Sequence, residues 1–264
     1  MKNKVLFVIG SLQLGGAEVL LNDILNNIDK TSQVDLLLIE KRGELLKSIP
    51  KNIKVYYLTK GKDFCKSWFE KIFNKIYLSL IYRFLWDSKM YSKFIHKHIL
   101  KNEYTKEIGF LSGVSTAIVR NTPNKKTNKI MWIHIDVLKV YKKSFDTYKK
   151  DAENFDKIIA ISDETKENFI KAFPNTNEKV VVIKNFIDTN KVIKRSLEES
   201  NVFPQKNCKN ILCCGRVEDQ KGYDMLLEAV LKLNKENYKY MLYIIGIGSE
   251  MDKLLDFKNE NNLD

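Results

Sequence analysis

The stretch Ile-Leu-Cys-Cys-Gly-Arg-Val-Glu-Asp-Gln-Lys-Gly, residues 211–222, shows the strand–loop–helix pattern that recurs along the chain. Its apolar run at 211–214 is long enough for a buried strand, and a helical pattern of apolar residues begins at Tyr223. Gly215 ends the strand, and a polar loop with a basic residue near each end follows. Such a junction predicts an anion site, because free backbone N–H groups and the helix dipole point into the loop.

Two interpretations of the charges in this loop stay open. Arg216 and Lys221 could place two cations at the mouth of the anion site, or both could be solvated loop charges. The same plan opens the chain, with a strand at 4–9, a loop at 10–16 and a helix from about Ala17. Gly15 and Gly16 lie at that junction, where the missing Cβ atoms let a ligand approach the backbone closely.

Apolar runs alternate with helical patterns along the rest of the sequence. Further strands are predicted at residues 34–39, 53–58, 108–111, 129–133, 157–161, 179–183 and 240–245, and helices at 141–154, 163–173 and 251–257. Near-continuous Val- and Ile-rich strands between helices indicate a parallel sheet covered on both faces. The predicted fold class is α/β with doubly wound parallel sheets in two domains. The domains span residues 1–186 and 210–264, the second incomplete, with a linker at 187–209.

The composition limits which cell compartment and which partners are expected. The formal net charge of +12 over 264 residues favours an anionic partner such as a nucleotide, an acidic lipid surface or a nucleic acid. No run approaches the roughly 20 apolar residues of a membrane span, and the N-terminus has no secretory signal pattern. The four cysteines lack Cys-x-x-Cys spacing and are predicted to be small buried hydrophobes in a reducing cytosol.

Residues 60–104 differ from the rest because basic and aromatic side chains interleave there. Lys66, Trp68, Phe69, Lys71 and Lys75 begin this region. Basic, aromatic helices suit the interface of an anionic bilayer, where rings bury shallowly and cations meet headgroups. The alternative is a pair of ordinary amphipathic helices whose aromatics face the core.

His134 follows the strand predicted at 129–133, at the edge of a parallel sheet where ligands bind. It could donate a hydrogen bond to a sugar hydroxyl or assist proton movement, or it could form no more than a turn with Asp136. His96 and His98 have no acidic or Cys partner at metal-ligand spacing, so no metal site is predicted.

The run Gly246-Ile247-Gly248 lacks the third glycine of the dinucleotide fingerprint, since Met251 stands in its place. A hydride-transfer enzyme is therefore disfavoured. Nucleic-acid binding is also disfavoured, because no recognised nucleic-acid-binding motif accompanies the charge.

Five elements in register across essentially the whole chain resemble the family 4 glycosyltransferases, which are retaining enzymes of the GT-B fold. They are Gly15-Gly-Ala-Glu18, the Trp-Ile-His-Ile-Asp run at 132–136, the run at 155–162, the run at 182–188, and Gly215-Arg216 with Lys221-Gly222. The resemblance implies two Rossmann-like domains, the first taking an acceptor and the second a nucleotide-activated sugar.

The resemblance also implies roles for particular residues. Arg216 and Lys221 match the basic pair that holds the donor diphosphate, and Gly15 and Gly16 match the glycine loop near the donor phosphates. His134 matches the histidine that contacts the transferred sugar. Two cations and a helix N-terminus would stabilise charge growing on the diphosphate leaving group, so no metal or other cofactor is expected. Retention is expected through attack on the same face.

The resemblance implies a nucleotide-sugar donor and a glycan or lipid-linked acceptor as partners. The basic and aromatic residues at 60–104 add an anionic membrane surface as an expected partner. The expected location is cytoplasmic and peripheral on the inner face of the cell membrane. The family's carboxylate motif would lie beyond Asp264, so we expect a fragment that is poorly stable and inactive by itself. The alternative function is a non-catalytic nucleotide- or lipid-binding remnant.

Overall fold

A computed structural model describes residues 3–29, 31–198, 208–236, 238–261 and 263, without the side chains of Lys143 and Lys191. The chain divides into two compact units, Met1–Thr189 and Asn190–Asp264. Part of the predicted linker, residues 199–207, lies outside the described residues.

The first unit is built on a seven-stranded sheet. Its strands are β1 (Lys4–Ile9), β2 (Gln33–Lys41), β3 (Lys54–Lys60), β4 (Lys106–Gly109), β5 (Asn128–Ile133), β6 (Lys157–Ala160) and β7 (Val180–Val182). They lie in the order β3-β2-β1-β4-β5-β6-β7, and every neighbouring pair is parallel. The predicted parallel sheet is thereby confirmed. The order reverses between β1 and β4, which places a crevice at their carboxyl ends.

The helices of this unit connect the strands. They are α1 (Gly16–Asn27), α2 (Trp68–Leu80), α3 (Lys89–Phe94), α4 (Val114–Arg120), α5 (Lys142–Asn154) and α6 (Asp163–Ala172). Two π-helical segments, Ile81–Leu85 and Ile95–Leu100, continue α2 and α3. Helix α6 begins where the sequence predicts, because Ser162 accepts a hydrogen bond from the backbone N–H of Thr165.

Both faces of the sheet are covered. Alternate residues of β1 enter two different clusters: Leu6 and Val8 pack with Ile118 of α4, and Phe7 and Ile9 pack beside α1. The period of two in a strand produces this division. A continuous apolar run in the sequence therefore corresponds to a strand buried from two sides.

The second unit is smaller. It contains α7 (Thr189–Ser196), β8 (Lys209–Cys214), α8 (Tyr223–Lys235), β9 (Tyr240–Ile245) and α9 (Met251–Glu260). Strands β8 and β9 form a two-stranded parallel sheet. Its buried cluster consists of Val217, Tyr223, Leu227 and Leu254.

Two expectations from the sequence are wrong in detail. Strand β4 ends at Gly109 rather than at residue 111, because its ladder with β5 runs only from Lys106 to Gly109. The cysteines are free but not buried: Cys214 is exposed and the other three are half-buried. Cys213 and Cys214 lie on the thinly covered sheet of the second unit, where an apolar run does not guarantee burial. No helix of the described residues is long and apolar enough to cross a bilayer.

Candidate functional site

The loop between β1 and α1 places two glycines at a helix N-terminus on the carboxyl edge of the first sheet. Gly15 precedes the first turn of α1, and its carbonyl accepts from the N–H of Val19 at 2.9 Å. A Cβ on Gly15 would lie 2.3 Å from Glu18 Oε2, whereas a Cβ on Gly16 would meet nothing within 4 Å. The Glu18 carboxylate thus lies beside Gly15, and the surface over Gly16 is open.

His134 follows β5 on the same edge of the sheet and is held against the end of β4. Its Nε2 lies 2.9 Å from the carbonyl oxygen of Phe110. The ring also packs against the Phe110 ring, with centroids 4.9 Å apart, and stacks with Trp132 at 6.3 Å. Because a carbonyl only accepts, Nε2 must carry the proton in this contact.

Burial decides the charge of this histidine. Desolvation lowers the pKa of His134 from its usual value, and the hydrogen bond to Phe110 opposes that shift. The ring is therefore neutral at pH 7, and its Nδ1 is an acceptor. Because Nε2 is hydrogen-bonded to Phe110, Nδ1 is the ring nitrogen left for a further hydrogen bond.

Asp136 has a structural role in the turn after His134. Its carboxylate accepts from the N–H of Leu138 at 2.9 Å and from the amide of Asn168 at 3.0 Å. The hydrogen bond from Leu138 is the main cause of a lowered pKa at Asp136. The turn interpretation therefore holds for Asp136, while His134 is oriented separately by Phe110.

The loop after β4 belongs to this edge and was missed by sequence reasoning. The N–H of Phe110 donates to Val8 O at 2.9 Å, which joins the ends of β1 and β4. Gly113 has a φ of 107°, which a residue with a side chain rarely adopts, and its missing Cβ faces open space. The signal for this loop was the Ser112-Gly113 pair directly after an apolar run.

In the second unit, Arg216 and Lys221 lie in the loop between β8 and α8, as the sequence predicts. Both side chains are exposed. Neither forms an ion pair with a carboxylate in the described part of the chain. Gly222, with a φ of 66°, turns the chain into α8.

The backbone of this loop is held by the glycines after β9. A Cβ on Gly246 would lie 1.8 Å from Gly215 O, and a Cβ on Gly248 would lie 1.9 Å from Val217 O. The N–H of Val217 donates to Ile247 O at 3.0 Å. The Gly-Ile-Gly run therefore permits close packing of two backbone segments.

The candidate residues thus form two groups, one in each unit. Gly15, Gly16 and His134 lie on the carboxyl edge of the first sheet, and Arg216 and Lys221 lie on that of the second. The predicted membrane-contact residues lie on α2 or just before it and belong to neither group; they are Lys66, Trp68, Phe69, Lys71 and Lys75. Within the described residues, no three His, Cys, Asp or Glu side chains are placed to hold a metal ion.

These features are those of an α/β protein with the GT-B fold. Solved structures with this fold align with the chain. The chain aligns with Anabaena HepE in complex with UDP-glucose at a TM-score of 0.65 and 15% identity, over 99% of this chain and 66% of that one. It aligns with S. aureus TarM, solved with UDP, at 0.64 and 13%, over 100% and 76%. A UDP-N-acetylglucosamine 2-epimerase from Rickettsia bellii aligns at 0.53 and 13%, over 98% and 67%.

At these identities the likeness shows the fold alone. The chain spans about two thirds of the length of HepE. No protein-family model matches the sequence, and no curated protein matches it significantly.

Proposed function

We propose that this protein is a retaining glycosyltransferase that moves a sugar from a nucleotide-sugar donor to a glycan or glycolipid acceptor. The observation that carries the proposal is the likeness, over nearly the whole chain, to structures solved with UDP and UDP-glucose. The placement of the basic pair and of His134 on the carboxyl edges of two parallel sheets supports it, since ligands of open α/β sheets bind there.

In this proposal the second unit binds the donor. Arg216 and Lys221 are exposed and without a carboxylate partner in the described residues, so a diphosphate would meet cations that are not already neutralised. Negative charge grows on the diphosphate as the glycosidic bond breaks. Two cations beside the N-terminus of α8 would stabilise that charge, and no metal or other cofactor is then required.

The first unit binds the acceptor and contacts the transferred sugar. His134 is neutral and held by Phe110, so its Nδ1 can accept a hydrogen bond from a sugar hydroxyl. Gly16 leaves the N-terminus of α1 open to a phosphate or to the reacting centre. Retention would follow from attack on the same face, with the leaving phosphate helping to deprotonate the acceptor.

Isothermal titration calorimetry with UDP and with UDP-sugars tests donor binding, and ADP and GDP serve as matched controls for the base. We expect one nucleotide to bind with 1:1 stoichiometry, in EDTA as well as without it. If none of the nucleotides or nucleotide sugars binds, the proposal is wrong. If EDTA abolishes binding, the metal-free part is wrong.

Product analysis then separates transfer from other chemistry. Incubation with a bound UDP-sugar and a panel of glycan and glycolipid acceptors should yield a glycosylated product whose anomeric configuration, read by NMR, is that of the donor. Inversion would contradict retention, and epimerisation of the sugar at C2 would contradict transfer. Nucleotide or lipid binding without any turnover would favour the non-catalytic alternative.

A further inference from the structure

Helix α2 is attached to the protein by its polar side. Lys60 donates from Nζ to Glu70 Oε1 at 2.6 Å and from its backbone N–H to Asn74 Oδ1 at 2.9 Å. One turn later, the hydroxyl of Tyr77 lies 3.0 Å from that of Tyr91. These positions follow at intervals of three and four residues, so they share one face of the helix.

The adjoining face of α2 is apolar and open to solvent, and Phe73 at its edge stacks on Tyr77. This face consists of Trp68, Phe69, Ile72, Phe73, Ile76 and Leu80, called here the α2 apolar face. Trp68, Phe69 and Phe73 are 66%, 76% and 68% exposed, and no residue of α2 is buried. A helix on a protein surface normally turns its apolar stripe toward the core. Here only Tyr77 and Leu78 pack against the core, and most of the apolar stripe faces solvent. A contiguous apolar patch of this kind marks an interaction site.

The charges around the α2 apolar face are cationic. Residues 60–101 contain ten Lys or Arg against three Asp or Glu. Two of the three carboxylates are turned inward and paired, Glu70 with Lys60 and Asp87 with Arg120 and Lys150. Lys66, Lys71 and Lys75 are exposed and form no ion pair within the described residues. The rim of the apolar face therefore presents uncompensated positive charge.

We propose that the α2 apolar face docks on an anionic lipid bilayer, with α2 lying in the plane of the interface. The three aromatic rings would insert at the level of the headgroups and upper acyl chains, where aromatic side chains are favoured. The lysines on the rim would contact acidic headgroups. This inference rests on the orientation of one helix and is independent of the enzymatic proposal.

The same charges argue against a second copy of this chain as the occupant. A two-fold interface places the same patch on both subunits, so the rim lysines of one copy would oppose those of the other. Like charges facing each other weaken association. A bilayer rich in acidic lipid has the complementary charge.

Vesicle flotation tests the proposal. The protein of residues 1–264 is mixed with phosphatidylcholine vesicles containing phosphatidylglycerol, or with phosphatidylcholine vesicles alone. We expect flotation with the acidic vesicles, reduced by added salt, and a blue shift of tryptophan emission that is absent in Trp68→Phe.

The double variant Phe69→Ser, Phe73→Ser should bind vesicles about tenfold or more weakly, since two exposed rings are lost. The double variant Lys71→Glu, Lys75→Glu should also bind acidic vesicles more weakly than wild type.

Matched controls lie on the second unit. Tyr238 is 58% exposed there, and Tyr238→Ser should leave flotation unchanged. Lys232→Glu with Lys235→Glu repeats the charge change near the end of α8 and should have less effect than the α2 pair. Circular dichroism confirms that each variant is folded.

Three results would overturn the inference. The first is failure of the wild-type protein to float with acidic vesicles, and the second is flotation of the Phe69→Ser, Phe73→Ser variant equal to wild type. The third is a concentration-dependent dimer in sedimentation velocity that this double variant abolishes, without any vesicle binding. That third result would assign the α2 apolar face to a second copy.

Discussion

The two sheets of this protein contain strands of the same parallel type in very different surroundings. Leu36, Leu37 and Leu38 of β2 are fully buried, because helices cover the first sheet on both faces. In β8, exposed and half-buried residues alternate, and Leu212 is 51% exposed. The first unit has a core large enough to hold its loops rigidly. The second holds its loop through the buried side chain of Val217 and through backbone contacts between Gly215, Val217 and the glycines after β9.

The units also use charge differently. In the first, Arg120 is buried and bonds to the carboxylates of Asp151 and Asp87. In the second, Arg216 and Lys221 are exposed and unpaired within the described residues. Buried ions of the first kind serve structure, because an unpaired buried charge is costly. Exposed cations on a loop contribute little to folding and remain available to a ligand.

The largest expected effect comes from breaking the buried ion network. Arg120→Ala leaves Asp151 buried without its cation and should lower the free energy of unfolding by about 3–5 kcal/mol. Arg216→Ala should leave it nearly unchanged. Guanidinium denaturation followed by circular dichroism measures both. Equal losses in the two variants would contradict the difference drawn between the units.

Truncation of apolar side chains should also distinguish the two sheets, with a slightly smaller difference in unfolding free energy. Leu37→Ala removes a fully buried side chain and should cost about 2–5 kcal/mol of unfolding free energy. Leu212→Ala, on the half-exposed strand β8, should cost about 0.5 kcal/mol or less. The same denaturation experiment compares them. A cost at Leu212 as large as at Leu37 would show that β8 is covered in solution.

Substitutions in the first unit should have the larger effect on stability, whereas substitutions in the second unit should have the larger effect on nucleotide-sugar affinity. Arg216→Ala should weaken nucleotide-sugar binding by about 1.5–3 kcal/mol, as expected for loss of a charged hydrogen bond. Lys235→Ala, at the far end of α8, is the control and should bind as wild type. Calorimetry measures both. Unchanged affinity in Arg216→Ala would show that Arg216 is a solvated loop charge and does not bind the donor.

The smallest effect concerns the proton of His134. Burial lowers its pKa below the ordinary value of 6.5, so neutral His134 contributes stability above that pH and loses it as pH falls through the lowered pKa. Once the ring is protonated, Nδ1 no longer accepts, so nucleotide-sugar affinity should fall as the pH drops below the ordinary histidine value. His134→Gln should cost about 1 kcal/mol of binding at neutral pH and remove this dependence. An identical pH profile in the variant would exclude His134 as the titrating group.

Much of the fold could be predicted because its signals are local. Apolar runs mark every strand to within two residues, and Ser162 marks the start of α6. Gly15, Arg216 and Lys221 fall in strand-to-helix connections as expected, and Gly16 is the first residue of α1. Their roles as ligand-binding residues stay predictions.

Other features depend on contacts between residues far apart in the sequence. Phe110 is 24 residues from His134, and its carbonyl determines which ring nitrogen carries the proton. The run Gly246-x-Gly248 lacks the third glycine of the dinucleotide fingerprint, and the structure shows that it permits close approach to Gly215 and Val217. Neither relation has a local signature.

The sequence by itself determined an α/β fold with parallel strands, since apolar periodicity and turn residues act within a few positions along the chain. It also determined where cations and glycines stand relative to each strand. Only the tertiary structure decided which side of a helix meets the protein. The composition of α2 is compatible with either side facing inward, and the bonds from Lys60 to Glu70 and Asn74 turn its aromatic residues toward solvent.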